Sequence, residues 1–365
     1  MKNTFGNSLS ITLYGESHGP SVGIVIDGLT PGVPVDEAYI ERCLSRRRPA
    51  GAISTARREA DSYVIESGVY NGYTTGTPVC IRIPNEDTRS KDYLSEDYKA
   101  RPGHADYTAR CKYHGYEDIR GGGHFSGRIT AALVAAGGIL LPALERKGIR
   151  IATHIRRLAG VDDRSFDNFA TDMVYLQTAP FPVLDGTVAD TMQQKIVAAK
   201  ADGDSVGGIL ETAVTGLPVG VGEPWFDTVE GILSHALFSI PAIKGVEFGD
   251  GFALADMTGS QANDSLRVSE EGKVVTTTNH NGGINGGITN GMPLLFRCAV
   301  KPTPTISRQQ DTISLVSGTN TQIQAGGRHD PCIVHRAAVV VECVTALALC
   351  DLLTGRYGTD WLGEV

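Results

Sequence analysis

The sequence predicts an α+β fold: a layered β-α-β sandwich with apolar helices buried between antiparallel sheets. Three observations carry this expectation. Branched residues concentrate in short runs at 9–14, 21–27, 151–158, 206–214 and 294–300, each punctuated by glycine, as strands require. Helical patterns alternate with these runs, and the segments 128–147 and 333–354 are apolar on nearly every face, which suits an interior position between layers. Glycine contributes 44 of 365 residues, well above its usual share of roughly 7%. The glycines cluster between apolar runs, so they mark unusual backbone angles and close approaches rather than disorder.

Taken in order, the alternation Leu9-Ser10-Ile11-Thr12-Leu13 reads as a strand that meets a glycine turn at Gly15. Asp36 can cap a helix that ends before Pro49. Residues 128–147 form an alanine-rich helix, expected to be broken at Gly137, Gly138 and Pro142. Segments 188–201, 226–239 and 333–354 complete the helices; His335, Arg336 and Glu342 make the last a buried core helix rather than a membrane span. One echo links the halves of the chain: SVGIVIDGLTPGVPV at 21–35 resembles SVGGILETAVTGLPVGV at 205–221, which points to an internal pseudo-repeat.

Residues 1–6 lack the apolar run of a signal peptide, so a soluble chain with no membrane partner is expected. A net charge of −8 argues against a nucleic-acid coat, and a local cluster such as Arg46-Arg47-Arg48 in an acidic protein suits a small anion. The seven cysteines are odd in number and never form CxxC, so neither a disulfide framework nor a metal cage is expected, and reduced thiols suit the cytoplasm.

Several segments hold more polar chemistry than a loop needs. GESHG at 15–19 places Glu16, Ser17 and His18 side by side in a turn that requires only its glycines. RRRPAGAISTARREAD at 46–61 offers guanidinium forks that match phosphate or carboxylate. RPGHAD at 101–106 fixes a second turn histidine, His104, and imidazole titrates near neutral pH. RGGGHFSGR at 120–128 feeds the apolar helix, so its amides and Ser126 could cradle a phosphate, although it lacks the Gly-Lys-Ser/Thr of a P-loop. NHNGGINGGITNGM at 279–292, KPTPT at 301–305 and GRHDPC at 327–332 add backbone access for a flat ligand and donors from Lys301, Thr305 and Arg328. Taken singly, each segment is also compatible with an ordinary solvated turn or helix end.

Together these motifs resemble the chorismate synthase family. GESHG, RRRP with RREAD, TRSKDY, RPGHADY, RGGG with SGR, KGVEFGDGF, NGGINGGITNGM, KPT and GRHDPC occur in family order over nearly the whole chain, which implies one domain spanning 1–365. The resemblance implies the shikimate-pathway reaction in which 5-enolpyruvylshikimate 3-phosphate loses phosphate by anti 1,4-elimination to give chorismate, with reduced FMN required but not consumed. It assigns His18 to protonating the departing phosphate and His104 to the flavin. Asp330, with Ser17, would help the substrate proton to leave, and the Ser17–His18 pair would face two ligands at once. Arg47, Arg48, Arg128 and Arg336 become the substrate's anion seat. Ser126, Ala242, Gly286, Lys301, Pro302, Thr303, Pro304, Thr305 and Arg328 become the flavin's, with His124 and Phe125 standing where many relatives carry arginine and serine. Glu16 receives no role. Pro241 replaces a common asparagine, and Ile53 lies where relatives carry a further arginine. The resemblance also implies a homotetramer. Some relatives reduce their flavin with NADPH, but no separate dinucleotide domain is visible, which favours an external flavin reductase.

Two rival readings use the same residues. A serine hydrolase would need Ser17, a histidine and Asp330, yet there is no G-x-S-x-G elbow and adjacent Ser17 and His18 are poorly placed as nucleophile and base. A flavin- or phosphate-binding module would use the glycine loops but has no need of two turn histidines.

Overall fold

The computed structural model describes residues 2–49, 51–55, 60–86, 97–326 and 329–363. The chain builds two five-stranded sheets. The first contains β1 (Thr4–Phe5), β2 (Ser10–Gly15), β3 (Ser21–Asp27), β4 (Val64–Ser67) and β7 (Val79–Pro84), in the order β1-β2-β3-β7-β4. The second contains β8 (Arg150–Leu158), β9 (Val161–Asp162), β10 (Gly208–Thr215), β11 (Ile243–Phe248) and β16 (Leu294–Val300), in the order β11-β16-β10-β8-β9. Every pairing within them is antiparallel. Four hairpins decorate the sheets: β5–β6 (Val69–Tyr70, Tyr73–Thr74), β12–β13 (Leu266–Val268, Val274–Thr276), β14–β15 (Ile284–Asn285, Ile288–Thr289) and β17–β18 (Gln309–Ile313, Asn320–Gln324).

The apolar helices α3 (Thr130–Arg146) and α8 (Val334–Tyr357) fill the space between the sheets. α3 meets β3 and β7 on one side and β8 on the other, while α8 lies on β8 and β10. Both are long and apolar enough to cross a membrane, yet 94% of each such window is buried by the rest of the chain. α1 (Glu37–Arg47) packs on both, with Asp36 accepting from Tyr39 N as its cap, and α6 (Val229–Leu237) packs on α8. The sheets present one apolar face inward: Val79, Ile81 and Ile83 of β7 and Leu294, Phe296, Cys298 and Val300 of β16 are buried, and their neighbours are less so. Each such side chain contributes about 1.5–3 kcal/mol by leaving water. The remaining helices are α2 (Asp106–Tyr113), α4 (Phe169–Leu176), α5 (Gly186–Ala201) and the single turn α7 (Gly259–Ala262).

The expected break in the 128–147 helix does not occur. α3 runs through Gly137, Gly138 and Pro142. A Cβ on Gly137 would lie 2.2 Å from Cys343 Cβ in α8, and one on Gly138 would lie 2.8 Å from Ile40 Cα in α1. The glycines therefore let three helices touch, and burial outweighs their low propensity. The sequence echo at 21–35 and 205–221 falls on β3 and β10, each the middle strand of its own sheet.

One charged cluster lies inside the second layer. His154, fully buried, meets Asp163 through Nδ1 and Glu211 through Nε2, both at 3.0 Å. Burial alone would lower this imidazole's pKa, but the two carboxylates override it and raise it. A raised folded value means the contribution to stability is complete below about pH 6.5 and is lost as pH climbs through the folded value. The gap in thermal stability between the wild type and His154→Gln should therefore be widest in mild acid and narrow in alkali; a gap independent of pH would contradict this account.

Candidate active site

The GESHG turn begins where β2 ends, at Gly15 with φ of +94°. Ser17 and His18 are buried there. Asn85, just after β7, clamps the turn: its Nδ2 donates to the carbonyls of Glu16 and Gly19, each at 2.9 Å. Its Oδ1 accepts from Arg128 Nε at 2.9 Å.

The glycine loop explains why two histidines from distant motifs meet. Gly121, Gly122 and Gly123 all have positive φ, and Gly123 O accepts from Ser17 N at 3.1 Å. A Cβ on Gly121 would lie 2.0 Å from His18 Cε1, and one on Gly122 would lie 3.2 Å from His104 Cε1 and Nε2. The bare backbone thus forms a floor for both imidazoles. Ser17 Oγ lies 3.2 Å from His18 Nδ1 and donates to Arg120 O at 3.3 Å. With its hydrogen spent on that carbonyl, the serine oxygen accepts from Nδ1–H, an assignment that follows from hydrogen-bond direction. Ser17, fully buried, therefore serves its neighbouring histidine and does not open onto a ligand-sized space.

His104 is oriented by Asp106, whose Oδ1 lies 2.7 Å from Nδ1. Arg101 grips the same carboxylate through Nε at 2.8 Å and Nη2 at 2.7 Å. Burial would raise the Asp106 pKa, but hydrogen bonds from Arg101 and His104 hold this carboxyl well below the usual carboxylate range. Lys301 Nζ donates to Gly103 O at 2.6 Å, so the KPTPT segment docks the His104 turn.

Beside this loop lies a cleft of about 210 Å³ lined by Arg47, Thr55, Ser126, Arg128, Asp330 and Arg336, among others. Asp61 is shared by Arg47, at 2.6 Å, and Arg128. Asp330 accepts from Arg336 Nη1 at 2.8 Å and from Thr55 N at 3.0 Å. Among the described residues, three buried or nearly buried guanidiniums meet two carboxylates here, forks whose geometry suits an anion. Burial is the main reason the Arg336 pKa is lowered, and a bound anion would relieve that cost. Arg47 Nε is buried without a partner. Arg48 pairs with Glu41 at 2.6 and 3.1 Å and lines no part of the cleft, while its buried Nε, without a hydrogen-bond partner, stands 3.9 Å from the same Asp61.

Asp61 has a φ of +53°, and its carboxyl pKa, which burial would raise, is lowered by Arg47 and Arg128. Asn tolerates the same backbone but carries no charge. Asp61→Asn should cost roughly 3 kcal/mol, read as a lower urea midpoint, because two buried cations lose their counter-ion. Added sulfate should recover part of the loss, and a variant as stable as the wild type would refute the charge balance described here.

The residues expected at the flavin divide into groups. Ser126 Oγ accepts from Arg128 N at 3.2 Å and borders both the arginine cleft and a second cavity of about 340 Å³. That second cavity is mainly apolar, with Leu13, Ile129, Leu133, Pro241 and Leu347 in its wall and His124 beside them. His124 Nδ1 lies 2.7 Å from Gly15 O, so its half-buried ring is anchored to the GESHG turn. Phe125 is half exposed and sits edge-on to Tyr113, with ring centroids 6.0 Å apart. Ala242 takes a left-handed φ of +75° and accepts from Lys301 N at 2.9 Å. Thr303 Oγ1 is buried without a partner, a donor left for something else, while Pro302 and Pro304 pack against Gly207 and Gly103. Thr305 is half buried. Gly286 sits at the exposed tip of β14–β15 and borders neither cavity. Arg328 lies outside the described residues, as do TRSKDY and most of RREA. An apolar slot, an orphaned hydroxyl and a strained alanine beside an arginine cleft fit a flat, phosphorylated cofactor.

Sequence reasoning quoted Asp61, Arg101 and Asp106 inside their motifs but gave them no part, and it passed over Asn85. Their signal was present only as a carboxylate or amide next to a cation or a histidine.

A cationic cleft beside two histidines that share one glycine floor defines an enzyme acting on an anionic substrate. A family model described as chorismate synthase matches residues 9–354. The chain is 45% identical over 367 residues to the chorismate synthase of Aeropyrum pernix, covering 100% of this chain and 96% of the relative. It is 46% identical over 351 residues to that of Pyrococcus abyssi, covering 96% and 97%. A crystal structure of chorismate synthase superposes with a TM-score of 0.76 at 28% identity, covering 97% of this chain and 94% of that one. The chain belongs to the chorismate synthase family, the carbon–oxygen lyases of the shikimate pathway.

Proposed function

We propose that the arginine cleft seats 5-enolpyruvylshikimate 3-phosphate and that the chain removes its phosphate by anti 1,4-elimination to give chorismate, with reduced FMN beside it. The observation that carries this reading is the placing of His18 and His104 on adjacent glycines of one loop next to three arginines sharing two carboxylates. Arg47, Arg128 and Arg336 bind and orient the polyanion. His18 gives its proton to the departing phosphate, and Ser17 holds that ring. Asp330, held by Arg336, supports removal of the substrate's hydrogen as a proton. Ser126, Ala242, Thr303 and the wall of the apolar cavity hold the cofactor, with His104 toward it. When bound, reduced FMN supplies electron density that eases departure of an allylic phosphate.

The test is phosphate release under anaerobic conditions with substrate and chemically reduced FMN, repeated with NADPH alone. Release only in the first arm supports the elimination and assigns flavin reduction to an outside reductase; release in neither refutes the reading. His124 stands where relatives carry a permanent cation near the flavin, so His124→Arg should tighten FMN binding. Equal FMN affinity in the two proteins would remove His124 from the phosphate seat.

The same reading makes the chain one domain that assembles as a homotetramer. Trp225, Phe226 and Phe252, exposed at 76%, 97% and 85%, supply apolar surface for subunit contacts. Seven unpaired cysteines suit the cytoplasm.

A further inference from the structure

One buried acid has no part in the chemistry above. Glu117 lies shortly after α2, its side chain only 6% exposed. Neither carboxylate oxygen has a hydrogen-bond partner, and its ion-pair partner Arg110 stands off at 3.8 Å. A carboxyl group buried without donors costs free energy, so fold stability does not explain its place. Two cavities meet at this side chain. One is an open cleft of about 350 Å³ bordered by Tyr14, Glu16, Tyr116, Asp118 and Glu117. The other, of about 10 Å³, is bordered by His104, Asp106, Gly122, Asp118 and Glu117. That is room for one water among polar groups. His104 Nδ1 is committed to Asp106, and the ring edge carrying Nε2 faces Gly122.

We infer that Glu117 is a proton-transfer residue for His104, working through one water in the small cavity, while the open cleft connects its carboxyl group to solvent. The inference rests on the reading of His104 as a chemically active group. The step is a proton relay. The carboxyl O–H breaks as the water accepts its proton, the water's own O–H passes to the imidazole nitrogen, and the carboxylate is reprotonated from the open cleft. One proton moves from solvent to the ring, or back, with no change in oxidation state. Neither cavity shares a lining residue with the arginine cleft, so His104 exchanges protons while a substrate fills that cleft. The charged and titratable groups around the path are Arg101 and Asp106 at the ring, Tyr98, Arg110 from α2, Asp118 with its partner Arg120, and, lining the open cleft, Glu16, Tyr14, Tyr113, Tyr116 and His124.

The test uses the flavin-free protein with ¹⁵N-labelled histidine and reads exchange of the His104 imidazole N–H with solvent, alongside steady-state phosphate release by the loaded enzyme. Glu117→Gln should slow the exchange about tenfold and lower kcat by a similar factor with KM unchanged, and Glu117→Asp should restore most of both. Exchange at the wild-type rate in Glu117→Gln overturns the proposal whatever happens to kcat. Should that variant fail to fold, the wild type decides: exchange at His104 as slow as at the fully buried His154 overturns the route, and much faster exchange supports it. Absence of phosphate release by the wild type would instead refute the elimination itself and leave the exchange result standing.

Discussion

His18→Ala should lower phosphate release by about a hundredfold or more, as expected when a general acid is lost from a step that expels an anion. The ring lies against bare glycine backbone with one nitrogen held by Ser17, so it has one orientation to offer. Its removal leaves a hole at the edge of a turn still clamped by Asn85, and the arginine cleft has its own set of ion pairs. Substrate affinity should therefore change little while kcat collapses, which anaerobic initial rates with reduced flavin will separate. Near-normal turnover would take the acid role from His18. His104→Ala should behave similarly, with substrate binding largely intact.

Gly121→Ala should be nearly as damaging, on the order of a hundredfold, although it removes nothing. The added methyl group would begin 2.0 Å from His18 Cε1, on a backbone with φ of +63° that L side chains rarely adopt. Either the imidazole moves or the loop does, and both change the orientation in which His18 is held. The check is a double-mutant cycle: if Gly121 acts through His18, His18→Ala with Gly121→Ala should be no slower than His18→Ala alone. Multiplicative losses would show that the methyl group harms the enzyme by another route.

Much of this architecture was legible because its signals are local. The alternation that marks β2 and β3 and the capping Asp36 of α1 depend on a few neighbouring residues. Gly137 and Gly138 misled for the opposite reason: their place in a continuous helix depends on Cys343, two hundred residues away. Within the candidate site, the motifs drew His18, His104, Arg47, Arg128 and Arg336 to notice as candidates. The pairing was not. That Asp61 joins Arg47 to Arg128, that Asp106 orients His104 and that Arg48 also pairs with Glu41 are facts of three-dimensional proximity with no periodicity to betray them.

Asn85 gives the site a shared mechanical fate. One carboxamide holds the carbonyls on either side of Ser17 and His18 with its nitrogen and a substrate-seat guanidinium with its oxygen. A pull on Arg128 would reach the turn that carries His18 through a lever one residue long, and by reciprocity an ordered turn would steady Arg128. Asn85→Ala should therefore lower anion affinity and turnover together, unlike a substitution at His18, because this one side chain braces both the turn and Arg128.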